Sequence, residues 1–282
     1  MAILSIQSHV SFGYVGNSAA QFALQYLGHE VWPVHTVLFS NHPGHESFRG
    51  EVLPTKDIQS VLLGLLDLPI DGECEAILSG YLGNAETGAM LEDIIWRIQG
   101  ENRHLIYVCD PVIGDIKEGT YVDPELIKVF SDDLIPLAEV ITPNAYELSE
   151  LTGDPVGTIT DALKAARKLM KLGPSITIVT SVLDPDQPDQ LNTLLITPDR
   201  AWNVPSPILL NPTKGAGDLL SALWLAWHLE GHPPERALQE AVSSVFSLIR
   251  SARPDDMQEF PLISSRHLLR SPDYRLQMKT LD

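Results

Sequence analysis

Apolar and polar positions along the chain follow two rhythms. Short apolar runs at 3–6, 31–34, 37–39, 76–78, 105–109, 139–141 and 176–180 predict strands. Segments with apolar residues at helical spacing predict helices at 19–27, 56–66, 85–99, 124–134, 145–151, 160–172 and 235–249. Beyond residue 55 strand and helix alternate regularly, the pattern of βαβ units whose parallel sheet is covered on both faces. Residues 184–190 are rich in Asp and Pro and predict a turn, and 194–197 with 201–204 predict a β-hairpin turning on Pro198-Asp199. A polar tail with a short helix at 264–269 closes the pattern. The expected fold class is α/β, with a mostly parallel central sheet between two helical layers.

In such a sheet, ligands bind beyond the carboxyl ends of the strands. Several predicted strands end in polar groups suited to that place: Ser8 after the first, then Ser79-Gly80-Tyr81, Asp110-Pro111-Val112, Thr142-Pro143-Asn144 and Thr180-Ser181. All are expected on one rim. The loop 13–18, Gly-Tyr-Val-Gly-Asn-Ser, lacks the Gly-x-Gly-x-x-Gly spacing, and no Gly-x-x-x-x-Gly-Lys-Ser/Thr occurs, so phosphate binding needs another device. His42 and His45 fall short of a metal site without a third ligand at helical or hairpin spacing, and their loop reads as substrate-facing.

That device is expected in Asn211-Pro212-Thr213-Lys214-Gly215-Ala216-Gly217-Asp218. Two glycines free the backbone to turn, and Leu219, Leu220, Leu223, Ala226 and Trp227 then recur at helical spacing up to Gly231, where a left-handed C-terminal residue is expected. The unpaired N–H groups of 215–218 would converge at the positive end of the helix dipole, a site for a phosphate or developing anion. Asp218 has two readings: an N-terminal helix cap, or a general base beside the anion hole.

With 44% hydrophobic and 20% charged residues, the 282-residue chain is ordinary globular protein, expected to form a single domain over 1–282. No apolar run of about 18 residues occurs, and residues 1–7 show no basic leader, so a cytoplasmic protein with no membrane partner is expected. Cys74 and Cys109 lie inside apolar runs and read as small core residues. The formal charge of −18 argues against nucleic acid as a partner. A chain this acidic that binds an anionic nucleotide must reverse the sign locally through helix dipoles, lysines and a divalent cation, which points to Mg²⁺.

These motifs together resemble the pyridoxal kinases of the ribokinase-like superfamily over nearly the whole chain. The resemblance is carried by Ser-Ile-Gln-Ser-His-Val (5–10) with Gly-Tyr-Val-Gly-Asn (13–17), Phe-Ser-Asn-His (39–42), Ser-Gly-Tyr-Leu-Gly (79–83), Cys-Asp-Pro-Val-Ile-Gly-Asp (109–115), Ile-Thr-Pro-Asn-x-x-Glu-Leu (141–148) and Gly-Ala-Gly-Asp (215–218). It implies a three-layer α/β/α ribokinase-like fold with a small β-flap, a homodimer, pyridoxal as substrate, ATP as co-substrate and Mg²⁺ as cofactor. The implied roles place Ser8, Phe39, Pro43 and Tyr81 around the pyridine ring. Thr180, Ser181 and Lys214 fall on the nucleotide, and Thr142 and Asn144 near phosphate or metal. Asp110 and Glu147 would arrange Mg²⁺ through water, with Gly215, Ala216 and Gly217 as anion hole and Asp218 as base.

Two positions depart from the family pattern. Ala216 replaces a Thr, losing a hydroxyl but keeping the backbone N–H, and Pro43 replaces a Thr, losing a hydroxyl and an N–H from the substrate loop. Alternatives are a hydroxymethylpyrimidine or sugar kinase of the same superfamily and a non-catalytic B6 vitamer carrier. Asp110 as a turn residue, Thr142 and Asn144 as helix caps, and Tyr81 as half-buried core are the corresponding structural readings.

Overall fold

A computed structural model describes residues 2–68, 72–209, 214–252, 259 and 261–281. Asn211, Pro212 and Thr213 of the expected phosphate loop lie outside them. The strands are β1 (Ala2–Phe12), β2 (Glu30–Asn41), β3 (Gly50–Val52), β4 (Cys74–Ser79), β5 (Ile106–Cys109), β6 (Gly114–Asp115), β7 (Gly119–Thr120), β8 (Val140–Ile141), β9 (Ile176–Val182), β10 (Gln190–Ile196), β11 (Ala201–Pro207) and β12 (Lys279–Leu281). Ten of these form one sheet in the order β12-β11-β10-β9-β8-β5-β4-β1-β2-β3, and β6 with β7 makes a separate two-stranded flap. From β2 through β1, β4, β5 and β8 to β9 every pairing is parallel, while β3 and the β10–β11–β12 end are antiparallel.

Helices α1 (Asn17–Tyr26), α2 (Thr55–Leu66), α3 (Ala85–Glu101), α4 (Pro124–Val129), α5 (Ala145–Thr152), α6 (Ile159–Leu169), α7 (Ala216–Leu229) and α8 (Pro234–Ser251) cover the two faces. One core packs Ala20, Leu24, Leu223, Trp224, Leu238 and Val245 against Ile3, Leu78, Val108 and Ile178. The other packs Ile58, Leu91, Ile95, Leu126, Leu148 and Ala166 against Leu4, Ile6, Ile77, Tyr107 and Val179. Successive strand residues thus serve opposite cores, which is why the central strands read as unbroken apolar runs. Cys74 and Cys109 are free, buried core thiols, as expected.

Four sequence expectations need correction. The first strand continues past residue 6 to Phe12, so Ser8 stands within β1 rather than after it. Its polar residues are affordable there because buried Asn17 serves them: Ser5 Oγ donates to Asn17 Oδ1 at 2.7 Å, and Asn17 Nδ2 donates to the carbonyls of Ser5 and Val34. The runs 31–34 and 37–39 are one strand, with an irregularity in its pairing to β1 between Gln7 and His9. Pro33 sits where β2 is still the sheet edge, since β3 joins only from Val37. The helix expected over 124–134 ends at Val129 and continues as a π turn, Phe130–Leu134, and a 3₁₀ turn, Ile135–Leu137, that bring Phe130, Leu134 and Ile135 into the core. The tail adds β12, which carries no apolar alternation of its own and is defined by pairing to Ala201, Trp202 and Asn203.

Candidate active site

Every residue given an implied site role lines one cleft of about 600 Å³ at the carboxyl rim of the sheet. Ser8 comes from β1, Phe39 from β2, and Pro43 from the following loop. Tyr81 follows β4, Asp110 follows β5, and Thr142 follows β8. Asn144 and Glu147 open α5, and Thr180 and Ser181 end β9, where Ser181 takes a left-handed φ of 59°. Lys214, Gly215, Ala216, Gly217 and Asp218 complete the wall.

At the start of α7 the N-cap is Gly215, with φ 84° and no side-chain cap, so Asp218 lies in the first helical turn and is not the cap. The capping reading of Asp218 is therefore overturned. A Cβ at Gly215 would stand 1.9 Å from the Tyr14 carbonyl oxygen, so the loop 13–16 packs directly against the start of α7. Glycine is required there on two counts, a positive φ and no room. The helix behind it, Leu219 through Trp227, is buried throughout, and Gly231 has the left-handed φ expected of a residue past the C-terminus. A rigid, buried helix thus aims free N–H groups and one carboxylate at the cleft.

Three carboxylates meet below those N–H groups. Burial raises Asp218 to about 6, opposed by a backbone hydrogen bond from Gly16, although part of its surface stays open to the cleft. Asp110 is raised well above the carboxylate range by burial and then by the charges of Glu147 and Asp218. Hydroxyls of Ser221 and Thr142 oppose that rise, Ser221 Oγ donating to Asp110 Oδ2 at 2.9 Å. Glu147 is raised by burial, and its oxygens are already committed: Oε1 accepts from Ile113 N at 3.0 Å and Oε2 from Asn144 N at 2.8 Å. In return Asn144 Oδ1 accepts from Glu147 N, completing a capping box, and Asn144 Nδ2 donates to Gly114 O. The capping reading of Asn144 is thus met, and the same two residues anchor the base of the flap beside the cleft.

The flap leans over this cluster. Thr120 and Tyr146 hydroxyls meet at 2.6 Å beneath it, and Lys214 bridges to it from the α7 side, reaching Asp115 Oδ2 at 3.2 Å and Glu118 Oε1 at 2.6 Å. Burial works against the Lys214 charge, but Glu118 and Asp115 hold its ammonium above the usual pKa. Tyr121 faces the same carboxylates, and burial, Glu147 and Asp218 keep its hydroxyl neutral by pushing its pKa upward.

The sequence reading did not single out Tyr121, Ser221 or Glu118. Tyr121 and Glu118 belong to a turn-rich stretch with no periodicity, and Ser221 hides inside an apolar helix. Only its position one helical turn past Asp218, on the same face, signals a role.

Residues 33–261 match the family described as phosphomethylpyrimidine kinase. The chain is 38% identical to pyridoxal kinase PdxY of Corynebacterium diphtheriae over 100% of both chains. It is 39% identical to pyridoxal kinase PdxY of Rubrobacter xylanophilus over 98% of this chain and 96% of that one. Among solved structures, pyridoxal kinase from Leishmania donovani in complex with ADP and pyridoxine superposes with a TM-score of 0.93 at 27% identity, covering 100% of this chain and 99% of that chain. The same protein in complex with ADP and pyridoxamine gives 0.92 at 26% identity with the same coverage. Full-length identity to these enzymes, a shared fold and a shared order of motifs around one cleft establish that the chain belongs to the pyridoxal kinase family.

Proposed function

We propose that this chain transfers the γ-phosphoryl group of ATP to the 5′-hydroxyl of pyridoxal, giving pyridoxal 5′-phosphate and ADP. The observation that carries the reading is Asp218: a carboxylate in the first turn of a buried helix, beside N–H groups that open on the cleft, with a pKa near 6. At neutral pH it is ionised and can take the proton of a hydroxyl, while the amides of 215–218 receive the phosphoryl oxygens. We assign Ser8, Phe39, Pro43 and Tyr81 to a small aromatic ring and Thr180, Ser181 and Lys214 to polyphosphate; all line the same cleft, and Lys214 also lies beside Gly44 of the loop that carries Pro43.

Mg²⁺ fits this donor set. Asp110, Glu147 and Asp218 crowd three carboxylates together, and the cleft's lysine is committed to the flap, which leaves a demand for positive charge. No group of three or more His, Cys, Asp or Glu among the described residues is arranged to hold a metal alone. Asp110, with Glu147 behind it, would hold the ion through water, the habit of Mg²⁺, and the bound ion would neutralise phosphate charge. Thr142 keeps Asp110 in place for that purpose.

The match to the phosphomethylpyrimidine kinase family favours hydroxymethylpyrimidine as a second acceptor to test. Purified protein with MgATP should form pyridoxal 5′-phosphate from pyridoxal. No ADP release with pyridoxal, pyridoxine or pyridoxamine rejects the kinase reading, and vitamer binding without ADP release identifies a carrier. As partner we propose a second copy of the chain. Leu38 and Val52 are exposed on the β2–β3 edge, and sedimentation showing only monomer would reject the homodimer.

A further inference from the structure

We infer that Glu259 is a positioning residue that fixes the vitamer loop and the anion-hole loop relative to each other. The inference rests on the function proposed above. Glu259 is 9% exposed, and among the described residues its carboxylate hydrogen-bonds to Tyr14 and His45. One carboxylate oxygen, Oε2, accepts the backbone N–H of Tyr14 at 3.1 Å, and the other, Oε1, lies 3.1 Å from His45 Nε2. An ionised carboxylate has no proton to give, so Nε2–H is the donor. The partners stand 245 and 214 residues away in sequence.

Each partner stands next to residues of one wall of the cleft, Tyr14 next to Val15 and His45 next to Gly44. Tyr14 lies in the loop 13–16, and its own carbonyl rests against Gly215, so the position of Tyr14 sets the position of the α7 start with its N–H groups and Asp218. A Cβ at Gly13 would stand 2.6 Å from Glu259 Oε2, so the carboxylate occupies the space that glycine leaves. His45 lies in the loop between β2 and β3, just after the cleft residues His42, Pro43 and Gly44. Its N–H returns to His42 O at 3.1 Å, and its ring meets Phe12 edge-on at 6.0 Å. A single nearly buried carboxylate therefore ties the ring-binding loop to the backbone that seats the base. Among the described residues, Thr180 and Ser181 make no hydrogen bond to it. Reaction between bound groups is sensitive to misplacement of about 1 Å, so loosening this tie misaligns the hydroxyl with Asp218 more than it weakens nucleotide binding, which also rests on Thr180 and Ser181.

The test is steady-state kinetics with pyridoxal and ATP varied separately, alongside thermal melting, for wild type, E259Q, E259A, H45A and the E259A/H45A pair. E259A should raise the pyridoxal KM and lower kcat, each by about tenfold, with the ATP KM changed less than about twofold. E259Q, whose amide oxygen can still accept from Tyr14, should recover most of kcat. H45A should raise the pyridoxal KM alone and add little in the E259A background, because the two residues share one interaction. Unchanged pyridoxal KM and kcat in folded E259A, or a rise in the ATP KM equal to that for pyridoxal, overturns the inference. If E259A fails to fold, H45A with an unchanged pyridoxal KM overturns it. Wild-type protein that turns over no vitamer overturns the kinase reading and this inference with it, whereas an active wild type with an indifferent Glu259 overturns this inference alone.

Discussion

Ser221 Oγ donates a 2.9 Å hydrogen bond to Asp110 Oδ2, joining the helix that carries Asp218 to the end of β5. Thr142 Oγ1 stands 3.0 Å from the same hydroxyl, so the end of β8 is joined as well. Asp218 and Asp110 are thereby tied through Ser221, which does not line the cleft. Ser221→Ala removes one of the hydroxyls that favour ionised Asp110 and leaves a buried acceptor short of a partner. Turnover should fall roughly 5- to 50-fold, with the Mg²⁺ concentration for half activity rising. Kinetics at varied Mg²⁺ check this, and unchanged Mg²⁺ dependence would refute it.

Asp218→Asn keeps the shape of the side chain and removes proton acceptance. Turnover should drop about 10²- to 10⁴-fold while nucleotide binding survives. Because burial disfavours the ionised carboxylate, the Asn protein should melt higher than wild type at pH 8. Near-wild-type turnover in the folded variant would end the mechanism proposed here.

The pH profile follows from the same residue. With Asp218 titrating at about 6, log kcat/KM should rise with unit slope below pH 6 and level off above it. The stability effect runs the other way. The folded pKa exceeds the unfolded value of about 3.9, so the folded state binds the proton more tightly. The contribution of Asp218 to stability is then full below pH 4 and is lost as the pH rises through 6. Urea titrations at pH 5 and pH 8 on wild type and Asp218→Asn isolate it, since the Asn protein should lack this component.

Lys214 is the one Lys or Arg among the described residues lining the cleft, and it is shared with Asp115 and Glu118 of the flap. If Lys214 serves the polyphosphate as proposed, Lys214→Met should raise the ATP KM by about tenfold and the pyridoxal KM less, although the side chain also lies beside Gly44 and His42. The same variant should flatten the salt dependence of ATP affinity.

Ala216→Thr should restore the hydroxyl missing from the phosphate loop. A net hydrogen bond of about 0.5–1.5 kcal/mol corresponds to a gain in kcat/KM of roughly 2- to 12-fold. An unchanged kcat/KM would mean that the backbone N–H groups alone serve this position.

The order of strands and helices was legible because central strands buried on both faces and helices buried on one leave periods that need no distant information. The cleft was legible for a related reason. In a parallel sheet the polar residues that follow Leu78, Cys109 and Ile141 must gather at one rim, whatever the loops between them do. Gly215 and Asp218 announced themselves as a glycine turn feeding an apolar helix. What the sequence left open was every relationship that depends on two distant segments meeting. Whether Asp218 caps its helix was decided by the Tyr14 backbone, which forces Gly215 into the cap position. That β1 carries polar residues before Ser8 rests on Asn17, a residue on α1 that satisfies Ser5 and the carbonyls of Ser5 and Gln7. The bonds of Ser221 to Asp110, Lys214 to Asp115 and Glu259 to Tyr14 span 111, 99 and 245 residues. Local spacing encodes which face a residue presents to its own helix or strand. Which charged or polar partner it finds there is set only when the two layers close on the sheet.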